Sequence, residues 1–118
     1  MLALKNPIFL QDLFDIVNHQ DRYEWKPFHP GIDIHRLYAG EANQSSAALL
    51  RYQAGARTPR HLHEGVEHIL VLSGTQFDDK GEYPAGSLLI NFPKSSHQIT
   101  STQGCIVLAI WEKPVSFI

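Results

Sequence analysis

Three histidines and a glutamate in the middle of the chain have the spacing of metal ligands. The pattern is Gly55-x5-His61-x-His63-x3-Glu67-x6-Gly74, and His97 follows further along the chain. Imidazole nitrogens and carboxylate oxygens are ligands for zinc, iron, manganese, nickel and copper alike. Burying these side chains together without a metal would require several dedicated hydrogen-bond partners. We therefore predict one divalent metal ion, held by His61, His63, Glu67 and His97.

The residues between these ligands indicate how the backbone would bring them together. Side chains alternate between the two faces of a strand, so His61 and His63 point the same way and Leu62 the other way. Gly65 lies in a short connection after His63, where its conformational freedom permits a tight turn. We expect a hairpin that folds Glu67 back beside both histidines.

Short runs of β-forming residues follow Trp25, separated by turn signals. Many short strands at regular spacing predict a sandwich or barrel, and a jelly roll of two sheets fits their number. Turns are predicted at Ser73-Gly74 and, as type I, at Pro84-Ala85-Gly86. The predicted strands are Ile32–Tyr38, Ser46–Gln53, Thr58–His63, Val66–Ser73, Thr75–Phe77, Ser87–Asn91, His97–Ser101 and Cys105–Trp111.

The start of the chain predicts a short helix. Asn6 is suited to cap it and Pro7 to occupy its first turn, while apolar residues form one stripe. That stripe consists of Leu10, Leu13, Phe14 and Val17. We accordingly divide the chain into an N-terminal helical extension at 1–24 and a single barrel domain at 25–118.

Composition is that of a small globular domain. The chain has 118 residues, 43% of them apolar, and a formal net charge of -2, which gives no electrostatic attraction to nucleic acid or to an anionic membrane. No apolar run is long enough to span a membrane, and the N-terminus lacks the order of a signal peptide. A single cysteine cannot form an internal disulfide, which fits a reducing compartment. The expected location is the cytoplasm.

The metal-ligand pattern resembles the first signature of the cupin superfamily at every defined position. The second cupin signature is matched at Gly86 and His97, whereas Phe92, Lys94 and Ser101 stand where it has Pro, Gly and Asn. Within the cupins, residues 22–113 resemble the ChrR-like group, which is named for the cupin half of a zinc-containing anti-sigma factor. This likeness is carried by Trp25–Gly31, Gly81–Ser87, Pro93, Ser95–His97 and Gly104-Cys105.

The resemblance implies an all-β, RmlC-like double-stranded β-helix, a jelly-roll cupin barrel with a short N-terminal helix. It also implies a metal site, and cupins with three histidines and one glutamate include dioxygenases. Two functions are open. One is metal-dependent oxygenase chemistry on a small molecule, in an apolar pocket lined by Ile69, Val71, Ile99 and Leu89. The other is a non-catalytic sensing module that reports metal or ligand state to a protein partner.

Other interpretations of the sequence affect the choice between these two functions. A metal that only stabilises the barrel is a third option. Only about two dozen residues precede Trp25, too few for the sigma-binding domain of the anti-sigma factor, so we expect a stand-alone cupin. Phe92 and Lys94 are expected to reshape the turn before His97 and to place a cation near the pocket mouth. The sequence assigns no catalytic residue.

The remaining polar and aromatic residues have simpler interpretations. Cys105 lies in an apolar run typical of a buried strand. His68 faces away from Glu67, and His29 and His35 are expected to be solvated or hydrogen-bonded. Glu64 is predicted to be either an acid–base group or the tip of a loop. Residues 78–81 are predicted to form a solvated turn. A homodimer is expected to cover an edge strand of the barrel, with the aromatic residues near its termini as its surface. Those residues are Trp25, Trp111 and Phe117, for which a place in the core is the alternative.

Overall fold

The computed structural model describes residues 6–41 and 44–118, which form twelve strands and one helix. The helix is a 3₁₀ helix at Leu13–Arg22. The strands are β1 Lys26–His29, β2 Ile32–Ala39, β3 Ser46–Tyr52, β4 Ala56–Arg57, β5 His61–Leu62, β6 Glu67–Asp78, β7 Gly81–Pro84, β8 Leu88–Asn91, β9 Ser96–His97, β10 Thr100–Ser101, β11 Cys105–Trp111 and β12 Ser116–Phe117.

The strands form two antiparallel sheets that curl around one apolar interior. The larger sheet has the order β1-β2-β3-β11-β6-β10-β4, with β7 and β8 also paired to β6, and the smaller sheet has the order β12-β5-β9. The interior is built from alternate residues of the long strands, as the period of a strand requires. Its buried members are Ile32, Ile34, Ala48, Leu50, Tyr52, Ile69, Val71, Ile99, Cys105, Val107 and Ala109. The predicted all-β jelly roll with a short N-terminal helix is confirmed.

Strand β6 runs through the place where a turn was predicted. Its pairing with β11 shifts register beside Ser73, and Gly74 has a φ of +74°. A side chain on Gly74 would clash with the carbonyl of Gly104, so glycine is required at this close approach. The prediction of a turn at Ser73-Gly74 is wrong, because both residues lie in one continuous strand that bends at a bulge beside Ser73. The bend lets β6 pair with β8 at one end and with β7 at the other.

The N-terminal helix begins later in the chain than predicted. It starts after Asp12, which has a φ of +61°, and Ile16 is its buried residue. Ile16 packs with three residues on the outer face of the large sheet: Leu49, Leu72 and Ile106. Asn6 and Pro7 precede it without helical structure, so the cap assignment is wrong. The segment of the predicted extension before Asn6 lies outside the described residues, and the division at 24/25 stays a prediction.

Two local features differ from the sequence interpretation. Strands β1, β4, β7 and β12 were not predicted, since each is short and carries little alternation. At the predicted type I turn, the amide of Ser87 donates to the carbonyl of Pro84 and Gly86 has a φ of +92°. Pro84 is therefore the first residue of the turn and Gly86 the third, where a positive φ is characteristic of type II. Within 6–41 and 44–118, no helix is long and apolar enough to cross a membrane.

Candidate metal centre

The four predicted ligands come from both sheets and meet inside the barrel. His61 on β5 and His97 on β9 are register partners in the small sheet, His63 directly follows β5, and Glu67 begins β6 in the large sheet. Their exposed fractions are 4%, 0%, 1% and 3% respectively. One ligand atom from each side chain lies within 4.8 Å of the ligand atoms of the other three. The structure thus brings all four predicted residues together.

The route by which Glu67 arrives differs from the prediction. Strands β5 and β6 lie in different sheets, so residues 63–66 cross from one sheet to the other and do not form a hairpin. The segment around His63 is held to the small sheet by two backbone bonds. The amide of His63 donates to the Ser95 carbonyl at 2.8 Å, and the Lys94 amide donates to the His63 carbonyl at 2.8 Å. Opposite walls of the barrel, and not two arms of a hairpin, supply the cluster.

The hydrogen bonds of the three imidazoles orient them in the same way. Nδ1 of His61 lies 3.0 Å from the Pro59 carbonyl, which can only accept a hydrogen bond. Nδ1 of His63 lies 2.9 Å from Ser95 Oγ, whose own proton goes to the Phe92 carbonyl at 2.6 Å. In both rings Nδ1 is therefore the donor, and the Nε2 lone pair is left to face the cluster.

His97 completes the set with a carboxylate partner. Its Nδ1 donates to Asp78 Oδ2 at 3.0 Å. Its buried Nε2 has no hydrogen-bond partner among the described residues and lies 3.6 Å from Glu67 Oε1. A buried polar atom without a partner loses the free energy of hydration, and a metal ion at the centre of the cluster would restore a partner.

The contact between His63 and Glu67 also requires a positive charge. Nε2 of His63 lies 3.0 Å from Glu67 Oε1. With Nδ1 of His63 acting as donor, both of these atoms are acceptors in the neutral ring, so either a proton or a cation must lie between them. Three imidazole nitrogens and one carboxylate are a donor set that suits a divalent transition metal. The residues present therefore fit a cupin metal site.

Burial and hydrogen bonding shift the pKa of Glu67 in opposite directions. Burial raises the pKa of Glu67, but the hydrogen bond with His63 and the charges of the histidines lower it by more, and the net pKa lies below its ordinary value. Burial lowers the pKa of His61, against a smaller opposing contribution from the Pro59 carbonyl. Near neutral pH the cluster accordingly offers an ionised carboxylate and a neutral His61 imidazole, the forms that bind metal.

Two side chains hold the carboxylate of Glu67 from outside the cluster. Asn91 Nδ2 donates to Oε1 at 3.0 Å, and Trp111 Nε1 donates to Oε2 at 2.7 Å. These contacts fix the carboxylate with Oε1 towards the histidines. No feature of the sequence indicated a role for Asn91. For Trp111, which was predicted as core or dimer surface, the structure shows a half-buried side chain whose polar end lies at the site.

An apolar pocket adjoins the cluster. Its cavity volume is about 40 Å³, and His61 and Glu67 form part of its wall together with His29, Tyr52 and Thr58. Its apolar lining consists of Phe28, Leu50, Ile69, Ile99, Ala109, Trp111, Val115 and Phe117. Ile69 and Ile99 lie where predicted, whereas Val71 and Leu89 belong to the barrel interior.

Two predictions about histidines outside the cluster have different outcomes. Nε2 of His29 is buried with no hydrogen-bond partner among the residues described, although a solvated or hydrogen-bonded ring was expected. His35 matches that expectation, since its Nδ1 lies 3.2 Å from the Glu24 carbonyl in an exposed setting. His29 lines the pocket, whereas His35 lies outside it.

The other sequence-predicted residues lie away from the ligand atoms. Cys105 is buried in β11 as expected, and burial raises its pKa to about 11. His68 faces the side of β6 opposite to Glu67, and Glu64 is exposed at the tip of its connection. Lys94 is exposed with a φ of +74°, so the turn keeps the conformation that favours glycine without having one.

The barrel and its three-histidine, one-glutamate cluster define the class of protein as a cupin. The chain belongs to the ChrR Cupin-like domain family, whose model matches residues 14–115. It is 30% identical over 95 residues to the anti-sigma-E factor ChrR of Cereibacter sphaeroides, a match that covers 79% of this chain and 44% of that protein. The chain thus spans less than half the length of this curated relative.

Solved structures give the same fold. A chain in the crystal structure of Rhodobacter sphaeroides SigE with the anti-sigma ChrR is 29% identical, with a TM-score of 0.66 over 74% of this chain and 47% of that one. A putative acetylacetone dioxygenase from Methylibium petroleiphilum PM1 is 19% identical, with a TM-score of 0.79 over 100% of this chain and 85% of that one. At this lower identity the likeness establishes the fold alone.

Proposed function

We propose that this chain is a metal-binding cupin that holds one divalent ion through His61, His63, Glu67 and His97 and acts on a small molecule in the adjoining pocket. The observation that carries the proposal is the convergence of three Nε2 atoms on Glu67, with Nε2 of His97 otherwise unpartnered among the described residues. A metal with four protein ligands keeps one or two positions for a small molecule and supplies Lewis-acid or redox chemistry.

The pocket favours a small-molecule role over a purely structural metal. A structural metal site is enclosed by its ligands, whereas here the candidate ligands His61 and Glu67 line the adjoining pocket. The apolar lining would exclude water and accept a compact, largely apolar ligand. Oxygenase-type chemistry is the activity that we propose, and acetylacetone is a suitable first probe because two structural neighbours are named as acetylacetone dioxygenases.

Metal content in protein purified without added metal or chelator tests the ligand assignment. We expect about one ion per chain in the wild type, little in His63→Ala, and nearly the wild-type amount in the matched control His68→Ala, because His68 lies on the opposite face of β6. Equal metal content in the two variants would overturn the assignment. Oxygen uptake by the iron-loaded protein with acetylacetone then tests the proposed chemistry, and no uptake above the metal-free control would count against this substrate.

A second function is favoured by the identity to anti-sigma-E factor ChrR. In this alternative the metal or ligand state of the barrel is reported to a protein partner such as a sigma factor. Gel filtration of the chain mixed with a sigma factor of the SigE type, with and without metal, distinguishes the two. Metal-dependent co-elution would support the regulatory function, and independent elution in both states would contradict it for that partner.

We also propose a homodimer and a cytoplasmic location. Strand β8 has β6 as its one paired strand within 6–41 and 44–118, and it exposes Leu88 and Ile90 at 61% and 43%. Phe92 directly follows and is 67% exposed. An apolar edge strand is a site where a second copy can pair and bury it.

The cytoplasmic location rests on the lone cysteine and on the reducing environment that it fits.

A further inference from the structure

The carboxylate of Asp78 is divided between two structural tasks. Oδ1 accepts hydrogen bonds from the Lys80 amide at 2.8 Å, the Gly81 amide at 3.2 Å and the Tyr83 hydroxyl at 2.9 Å. Oδ2 faces Nδ1 of His97 at 3.0 Å. The side chain of Asp78 is only 2% exposed, although it lies in a segment that the sequence predicts to be a solvated turn. Three donors on one oxygen therefore hold the other oxygen against the imidazole.

This arrangement determines which nitrogen of His97 carries its proton. A carboxylate oxygen can only accept, so Nδ1 must donate, and in the neutral ring the lone pair is on Nε2. Nε2 is the atom that faces Glu67 and the other two histidines. We propose that Asp78 is a positioning residue that keeps His97 in the Nδ1–H form, with Nε2 free to bind a metal ion. This inference rests on the proposed metal site.

The neighbouring aspartate provides a matched contrast. Asp79 Oδ2 pairs with Arg60 at 3.0 Å, and its Oδ1 accepts from the Gln98 amide at 3.2 Å, both in exposed positions. It is the same residue type in the same turn, but its partners do not include a candidate ligand. A change at Asp79 therefore alters the local charge without altering the tautomer of His97.

The isosteric change Asp78→Asn has a specific expected result. The two backbone amides require an acceptor at Oδ1, so the asparagine oxygen takes that place and the NH₂ group faces His97. Nδ1 must then accept, and the proton moves to Nε2, where it blocks metal binding. An amide in place of an orienting carboxylate selects the wrong tautomer in this way. Asp78→Ala removes the acceptor but leaves His97 free to adopt either form, so its effect should be smaller.

Zinc affinity by competition titration with a chelating dye measures the consequence. Loss of an orienting partner of a metal-bound histidine typically weakens affinity about 10–100-fold. We expect a loss of that size in D78N, a smaller loss in D78A, and less than about twofold change in D79N. Equal affinities of D78N and D79N would overturn the inference. Thermal melting of each metal-free variant shows whether it folds.

The tautomer itself is measurable in metal-free protein, which separates this inference from the metal site. Nitrogen-15 shifts of His97 should show protonation at Nδ1 in the wild type and in D79N, and at Nε2 in D78N. A wild-type His97 protonated at Nε2 would refute the role of Asp78, whether or not D78N folds. If the wild type binds no zinc but shows the expected tautomers, the proposed metal function fails and the tautomer assignment stands.

Discussion

Replacing Trp111 by phenylalanine removes the hydrogen bond that holds the outer oxygen of Glu67. Trp111 Nε1 donates to Oε2 at 2.7 Å, and Glu67 is only 3% exposed. Phenylalanine keeps most of the apolar contact with the pocket but has no donor. Oε2 then becomes a buried anionic oxygen without this partner, and the carboxylate is free to rotate away from the histidines.

Two physical arguments give the same magnitude for this change. A hydrogen bond to a charged group contributes about 1.5–3 kcal/mol. Loss of a residue that orients a metal ligand costs about 10–100-fold in metal affinity, which is about 1.4–2.8 kcal/mol at about 1.4 kcal/mol for each factor of ten. We therefore expect Trp111→Phe to bind zinc about 10–100-fold more weakly, and to lower the free energy of unfolding of the metal-free protein by about 1.5–3 kcal/mol.

Trp25→Phe is the matched control. Trp25 Nε1 donates to the Gln20 carbonyl at 2.9 Å, on the outer face of the sheet beside the helix. Its loss removes a neutral hydrogen bond of about 0.5–1.5 kcal/mol and should leave zinc affinity unchanged. Competition titration gives the affinities, and urea denaturation of metal-free protein gives the stabilities. Equal zinc affinity in the two variants would refute the view that Trp111 positions Glu67.

Three further outcomes are expected. Lys94→Gly should raise the free energy of unfolding by about 0.5–1 kcal/mol, because glycine adopts the φ of +74° without strain. Lys80→Gly, at an ordinary φ, should lower the free energy of unfolding. Thermal or urea denaturation measures both changes, and a loss of stability in both variants would contradict the strain at Lys94. Cys105 should resist alkylation at pH 8 until the protein unfolds. Burial raises the pKa of the Cys105 thiol from the ordinary 9.0 to about 11. The stability that the buried neutral thiol contributes is therefore full below pH 9 and is lost as the pH rises towards 11. Rapid labelling of the folded protein would contradict the burial of Cys105. Light scattering should give the mass of two chains, and Ile90→Lys on β8 should give that of one; a wild-type monomer would overturn the dimer.

Part of the candidate ligand set is predictable from the sequence because its geometry is local. A strand repeats every two residues, so the spacing of His61 and His63 by itself places both on one face, and Glu67, Ile69 and Val71 share a face for the same reason. The metal identity is not readable in this way, since several ions accept the same donors. Local periodicity also predicted most strands, including β11 at Cys105–Trp111.

The predictions that failed depended on how the sheets curl. A turn was expected at Gly74, but only the close approach of Gly104, the residue before β11, shows why a glycine lies inside one long strand. The expected hairpin at 63–66 failed because β5 pairs with β9 and β12, both distant in sequence. Pairing partners of this kind are set by long-range packing, which the period of a single segment does not encode.

The sequence by itself indicated which residues could form a metal site: the four candidate ligands were predicted from residue type and spacing, and the structure brings them together. The tertiary structure decided how they are held. Asp78, Asn91 and Trp111 reach His97 or Glu67 across separations of 19, 24 and 44 residues. No feature of the sequence indicates that these three residues contact the candidate ligands, and Asp78 was predicted to lie in a solvated turn. Only the folded barrel places these donors and acceptors against the ligands, because hydrogen bonds depend on position in space and not on distance along the chain.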